Sequence, residues 1–180
     1  MGHCRIHNSH TLLATVVGVA TIMSKAGLTH GGFYAHFASK NALIEASIKQ
    51  MFEQSVARWN HETGKVSAAQ GMASYIDFYL SMQHRDQRAQ GCPMVALASD
   101  LPRLPSSSQK TFSAGVHTLA EAVGKTLARL DFAQPQALAQ SVINELVGAL
   151  ALARCEPDRE RSAQMLEASR TQLKTRLGLA

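Results

Sequence analysis

At 180 residues, 46% of them hydrophobic, the chain is long enough to bury one good core, or a small head and a larger body. Its three cysteines, Cys4, Cys92 and Cys155, are odd in number and far apart, which does not suggest a disulfide framework, and no apolar run reaches the roughly 18 residues of a membrane span. The formal net charge of +5 is unevenly spread: residues 1–40 hold Arg5, Lys25 and Lys40 with no Asp or Glu, whereas the other bases are nearly balanced by all 13 acids.

Residues 3–17 read HCRIHNSHTLLATVV, with no aromatic and several β-branched residues that favour helix weakly. A frayed tail is the preferred expectation. The sharper alternative is a metal site, because His3, Cys4, His7 and His10 offer soft and borderline ligands at short spacing. No sustained apolar core with a small-residue cleavage site follows Arg5, so the expected compartment is the cytoplasm.

Residues 22–26 are helix formers that end at Gly27, which leaves a helix cheaply through a left-handed backbone. Thr29 then caps a short helix over 30–37, and Ser39 caps a third that begins near Asn41. From Ser39 onward, Leu43, Ile44, Ile48, Met51, Phe52, Val56 and Trp59 recur at three- and four-residue steps, which predicts one long amphipathic helix to about Gly64. Ser67 caps the next, with Met72, Tyr75, Ile76, Tyr79 and Met82 on its apolar side. A polar run over 84–90 interrupts the pattern.

Gly91-Cys92-Pro93 starts another helix, with Pro93 at its first position, to about Leu101. Pro102 and Pro105 stop it, and Ser106 to Ser108 offer caps for a helix carrying Phe112, Val116, Leu119, Val123, Leu127 and Leu130. After a break at 131–135, one helix covers about 136–154, Pro157 marks a turn, and the last helix covers 158–177. No stretch alternates as a strand would, so the expectation is an all-α chain of about nine helices.

The window AGLTHGGFYAHFASK, residues 26–40, brings together the Ala-Gly-Leu turn, Phe33-Tyr34, the His36-Phe37 pair and Ser39-Lys40 at the head of a long helix. It resembles the helix-turn-helix of the TetR family of bacterial transcriptional regulators. The resemblance implies a TetR-like all-α fold: a DNA-binding head over residues 1–46, with the helix-turn-helix proper at about 18–37, and an effector-binding and dimerisation body over 47–180. It also implies a repressor that needs no cofactor and no membrane. Its partners would be a palindromic duplex operator, a small hydrophobic effector that releases the DNA, and a second copy of the chain. In the family a first helix with an aromatic residue precedes this motif. Residues 1–17 supply none, so a degenerate member with impaired DNA binding is a further expectation.

Carried onto this sequence, the resemblance lays the helix over 30–37 in the major groove. Thr29, His30, Gly31 and Gly32 open it toward base edges and phosphates, Tyr34 and His36 reach phosphates, and Lys25 and Lys40 add charge, while Phe33 and Phe37 are core. Two glycines in so short a helix cost about 1 kcal/mol each against alanine, so the backbone itself is inferred to come close to DNA. The acid-free amino-terminal segment fits that use.

In the body, Trp59, Tyr75, Phe78, Tyr79, Met82, Cys92, Met94, Phe112 and His117 are the candidates to line a mostly apolar effector cavity. Cys92 at a helix start has two further readings. The dipole would lower its thiol pKa and make it a redox or electrophile sensor, or it would act as an enzyme nucleophile with His84 or His117 as base. The family's dimer, a four-helix bundle of the last two helices and their mates, would use Leu146, Ala149, Leu150, Ala153, Met165, Leu166, Ser169 and Leu173.

Overall fold

The computed structural model describes residues 18–25, 27, 30–88 and 91–179, and of residues 22, 25, 30 and 31 the backbone only. Thr29 and the first-helix and metal-site expectations for residues 1–17 lie outside the described residues. The described chain is all-helical, without a strand: α1 (Val19–Lys25), α2 (His30–Tyr34), α3 (Lys40–Gly64), α4 (Ala68–Tyr79), α5 (Met82–Asp86), α6 (Pro93–Leu97), a 3-10 turn (Leu101–Arg103), α7 (Ser106–Ala128), α8 (Pro135–Cys155) and α9 (Arg159–Arg176).

Several boundaries follow from caps legible in the sequence. Gly27 takes φ +69° and its N–H returns to Ser24 O at 3.1 Å. Ser39 Oγ accepts from Ala42 N at 3.1 Å, and Ser67 with Gln70 forms a reciprocal capping box. Pro93 occupies a first turn, where no N–H is needed; α8 starts at Pro135, expected in the preceding break, and Asp158, expected inside the last helix, is its N-cap and accepts from Arg161 N at 2.9 Å.

Four further boundaries differ from expectation. The N–H groups of His36 and Phe37 both turn back on Phe33 O at 2.9 Å, so α2 stops at Tyr34 rather than Phe37. Leu80 leaves the helical region, and Ser81 Oγ accepts from His84 N at 3.1 Å while donating to Phe78 O at 2.7 Å. That cap starts a new helix, so Met82 sits on α5 rather than continuing α4. α6 ends at Leu97. α7 begins behind Pro105 without a side-chain cap, and Ser108 Oγ, expected to be among the caps, is instead buried with no partner.

At the end of α7, Asp131 takes φ +61°, with its N–H on Ala128 O at 3.1 Å and that of Phe132 on Leu127 O at 3.4 Å. This left-handed stop usually belongs to glycine, because Cβ crowds the carbonyl there. Asp131→Gly should therefore raise stability by about 0.5–1 kcal/mol. A urea midpoint that falls would contradict that assignment.

Two hydrophobic cores result. Among the described residues the amino-terminal one holds Met23, Phe33 and Leu43, with Val19 and Phe37 packed against them. The larger begins on α3 at Ile48 and is shared by α3, α4 and α6 to α9. α3 and α7 run side by side in the same direction, since Ser107 Oγ donates to Glu45 at 2.5 Å and Gly115, further along, lies on Phe52. A Cβ at Gly115 would stand 2.3 Å from the Phe52 ring, which is how closely these helices approach. α8 and α9 run antiparallel, with Ser162 bonded to Ala153 O near one end and Arg176 paired with Glu145 toward the other. Asp77 ties α4 to α9 through Lys174 at 2.9 Å.

α8 is, against expectation, long and apolar enough to cross a membrane by length and composition. Its most apolar positions face this core: Val142, Ile143, Leu146 and Leu150 are all buried. The same burial corrects the expected dimer face. Leu146, Leu150, Ala153, Leu166 and Leu173 are covered by their own chain, at most 3% exposed, and have no surface left for a partner. Ala149, Met165 and Ser169 are half-buried, while Leu152, on the outer side of α8, is 61% exposed.

Candidate DNA-binding head and effector site

The amino-terminal helices are held by Phe33, 1% exposed, whose ring meets Tyr34 edge-on at 5.1 Å and Phe37 at 5.7 Å. With Phe33 turned inward, Tyr34 is left 58% exposed, His36 is exposed, Gly32 is half-buried, and Lys40 is half-buried in the first turn of α3. Lys25, His30 and Gly31 are placed by backbone at the end of α1 and the start of α2. The two short helices with the turn at Gly27 between them are a helix-turn-helix, and no acid stands in the first turn of α1, α2 or α3.

In the body, the expected residues fall into two groups. Trp59, Tyr75, Tyr79, Cys92, Met94 and Phe112 are buried in one continuous core, and Phe78 and Met82 pack against it. Trp59 meets Tyr75 at 4.7 Å, Tyr75 meets Tyr79 at 5.8 Å, and Phe112 sits apart from this chain of rings, edge-on to Phe52 at 5.3 Å. His117 is exposed on α7, so it lines no buried site and cannot serve as base to a buried thiol.

His84, which the apolar periodicity did not mark as a wall residue, completes the ring cluster: it stacks on Phe78 at 5.0 Å and meets Tyr79 edge-on at 4.8 Å. Its Nδ1 lies 2.8 Å from Tyr79 O, the geometry of an N–H donating to that carbonyl. Burial lowers its pKa, the bond to Tyr79 opposes that, and the guanidiniums of Arg154 and Arg58 lower it further, so the ring is neutral. Arg58 stacks over Phe78 with its Cζ 4.3 Å from the ring centroid.

Cys92 is the N-cap of α6, and the helix start was expected to depress its pKa. Burial instead pushes the thiol up, although contacts with Tyr79 and with the backbone of Val95 and Met94 oppose the shift. A thiol-reactive dye should therefore label exposed Cys155 faster than Cys92 in the folded protein at neutral pH. Preferential labelling of Cys92 would restore the sensor reading.

Comparison with known proteins agrees with this architecture. Residues 15–47 match the family described as bacterial regulatory proteins, tetR family. Reduced NemR from E. coli superposes with a TM-score of 0.79 at 19% identity, over 90% of this chain and 86% of that one. A TetR transcriptional regulator from Legionella pneumophila gives 0.78 at 20% identity, over 92% and 89%. A TetR-family regulator from Agrobacterium tumefaciens gives 0.78 at 20% identity, over 93% and 92%. No curated protein sequence is significantly similar.

A helix-turn-helix is thus carried on an all-α body. Residues 15–47 carry a helix-turn-helix of the tetR-family type, and the described chain shares its overall fold with TetR-family regulators.

Proposed function

We propose that the protein is a dimeric repressor that leaves its operator when a small molecule enters the body. The observation that carries this reading is α3. One continuous helix holds Leu43 in the small amino-terminal core and Trp59 in the ring cluster of the body, 16 residues or about 24 Å apart. A ligand that shifts Trp59 and its neighbours therefore tilts the rod on which the DNA-binding head is mounted, and it releases DNA to the extent that it prefers the tilted state.

In this reading residues 1–46 form the head and 47–180 the body. Lys25, Thr29, His30, Gly31, Gly32, Tyr34, His36 and Lys40 meet the duplex, and Tyr34 and His36 are exposed as that role requires. The two-fold face is the outer side of α8 and α9, centred on Leu152, Ala149, Met165 and Ser169, in place of the leucines already consumed by the chain's own core. The cytoplasm is the compartment in which such a protein works.

A gel shift against the DNA upstream of the protein's own reading frame tests the proposal. A retarded complex that small-molecule extract dissolves is the expected result. Absence of a complex at low salt, with the protein folded, overturns it.

A further inference from the structure

The buried polar groups beside the ring cluster lack an anion. Tyr79 Oη is buried with no hydrogen-bond partner, a state that costs about 1–3 kcal/mol unless something supplies one. The Cys92 thiol touches it, but sulfur is a weak partner. Arg154, half-buried near the end of α8, gives two of its five N–H donors to the last carbonyls of α5, His84 O at 3.0 Å and Arg85 O at 3.1 Å. No carboxylate among the described residues pairs with it.

Its guanidinium also lies against Gly91, where a Cβ would come within 2.5 Å of a terminal nitrogen. Glycine there lets the chain leading into Cys92 pass directly over the charge. Arg58, exposed on α3 and stacked on Phe78, also has no acid partner among the described residues. The charge of Arg154 acts on Tyr79, Cys92 and His84, and that of Arg58 on Tyr75 and His84; no carboxylate is among the groups that act on these four.

We propose that the effector is a small organic acid: its carboxylate accepts from the Tyr79 hydroxyl and faces Arg154, while its apolar part lies against Tyr75 and Trp59. This rests on the reading of the body as an effector site. A neutral hydrophobic molecule would leave the Tyr79 hydroxyl as unpartnered as before, and a cation would meet two guanidiniums, so the acid is the class that resolves both features.

Trp59 is the chain's one tryptophan and reports on the site. The full-length protein is titrated with benzoate, phenylacetate and octanoate, and with their neutral amides, while Trp59 emission is followed. At least one acid should alter the emission saturably and bind about tenfold more tightly than its amide, as a charge-assisted hydrogen bond provides. Tyr79→Phe removes a buried hydroxyl whose one neighbouring partner is the weak Cys92 thiol, so its melting temperature should change little while affinity for the acid falls about tenfold. Arg154→Gln should weaken the acid at least as much.

No response to any acid, equal affinity for acid and amide, or unchanged acid affinity in Tyr79→Phe overturns the proposal. An acid that binds as described while operator DNA stays bound leaves this inference standing and removes the release mechanism. A neutral molecule that releases DNA while the acids fail does the reverse.

Discussion

Phe33→Ala should abolish binding to duplex DNA and leave the body folded. Phe33 is 1% exposed and, among the described residues, shares its core with Met23 and Leu43. Removing it deletes a contact of order 3–5 kcal/mol from a unit too small to repack around the loss. The body's core draws on none of these side chains, so its melting, followed through Trp59, should move little. With α2 no longer anchored, Tyr34 and His36 lose the placement that the proposed operator complex requires, and operator affinity should fall by more than about a hundredfold. If affinity survives, α2 is not the reading element; if the Trp59 transition falls in parallel, the two cores are one.

The second large effect concerns the body. Trp59→Ala should cost about 3–5 kcal/mol, a substantial part of the roughly 5–15 kcal/mol that stabilises a domain. Trp59 is 1% exposed, meets Tyr75 at 4.7 Å, and stands one turn before Thr63, whose hydroxyl bonds back to its carbonyl at 2.9 Å. Near it α4 crosses so closely that a Cβ on Gly71 would reach the Thr63 Cα at 2.6 Å, so neither helix can move in to fill the space. Urea unfolding monitored by far-ultraviolet circular dichroism measures the loss. A cost under about 1.5 kcal/mol would mean that the indole borders empty space rather than packed neighbours.

What the sequence revealed and what it hid divide by range. Gly27, Ser39, Ser67 and Pro93 act on backbone groups within a few residues of themselves, and the structure uses each of them as its local chemistry dictates. Ser81 carries the same kind of signal, but the apolar spacing from Met72 to Met82 runs through it, and periodicity drowned the cap. For α8 and α9 the spacing says which side is apolar and not whose atoms cover it, so leucines that close the chain's own core read as a partner's surface. Cys92 shows the same limit: the helix dipole is legible from one residue's neighbours, burial is not, and burial wins.

The candidate site was legible as a set of aromatic residues on α3 and α4. Its polar character was not, because Arg154 reaches it from a helix some seventy residues further along the chain, and His84 enters only because Ser81 restarts the helix and swings the ring back onto Phe78 and Tyr79. His117 erred the other way: it lies next to apolar Phe112 and Val116 in sequence but not at the three- or four-residue spacing of their face, and it is exposed.

The proposed repressor needs two copies of this chain to present their short second helices to one duplex. Fluorescence anisotropy of a labelled upstream duplex, titrated across salt from about 50 to 200 mM, measures this. Two chains per duplex are expected, with an affinity that drops steeply and log-linearly with salt, as several phosphate contacts from paired heads require. Binding that ignores salt, or one chain per duplex at saturation, would contradict it.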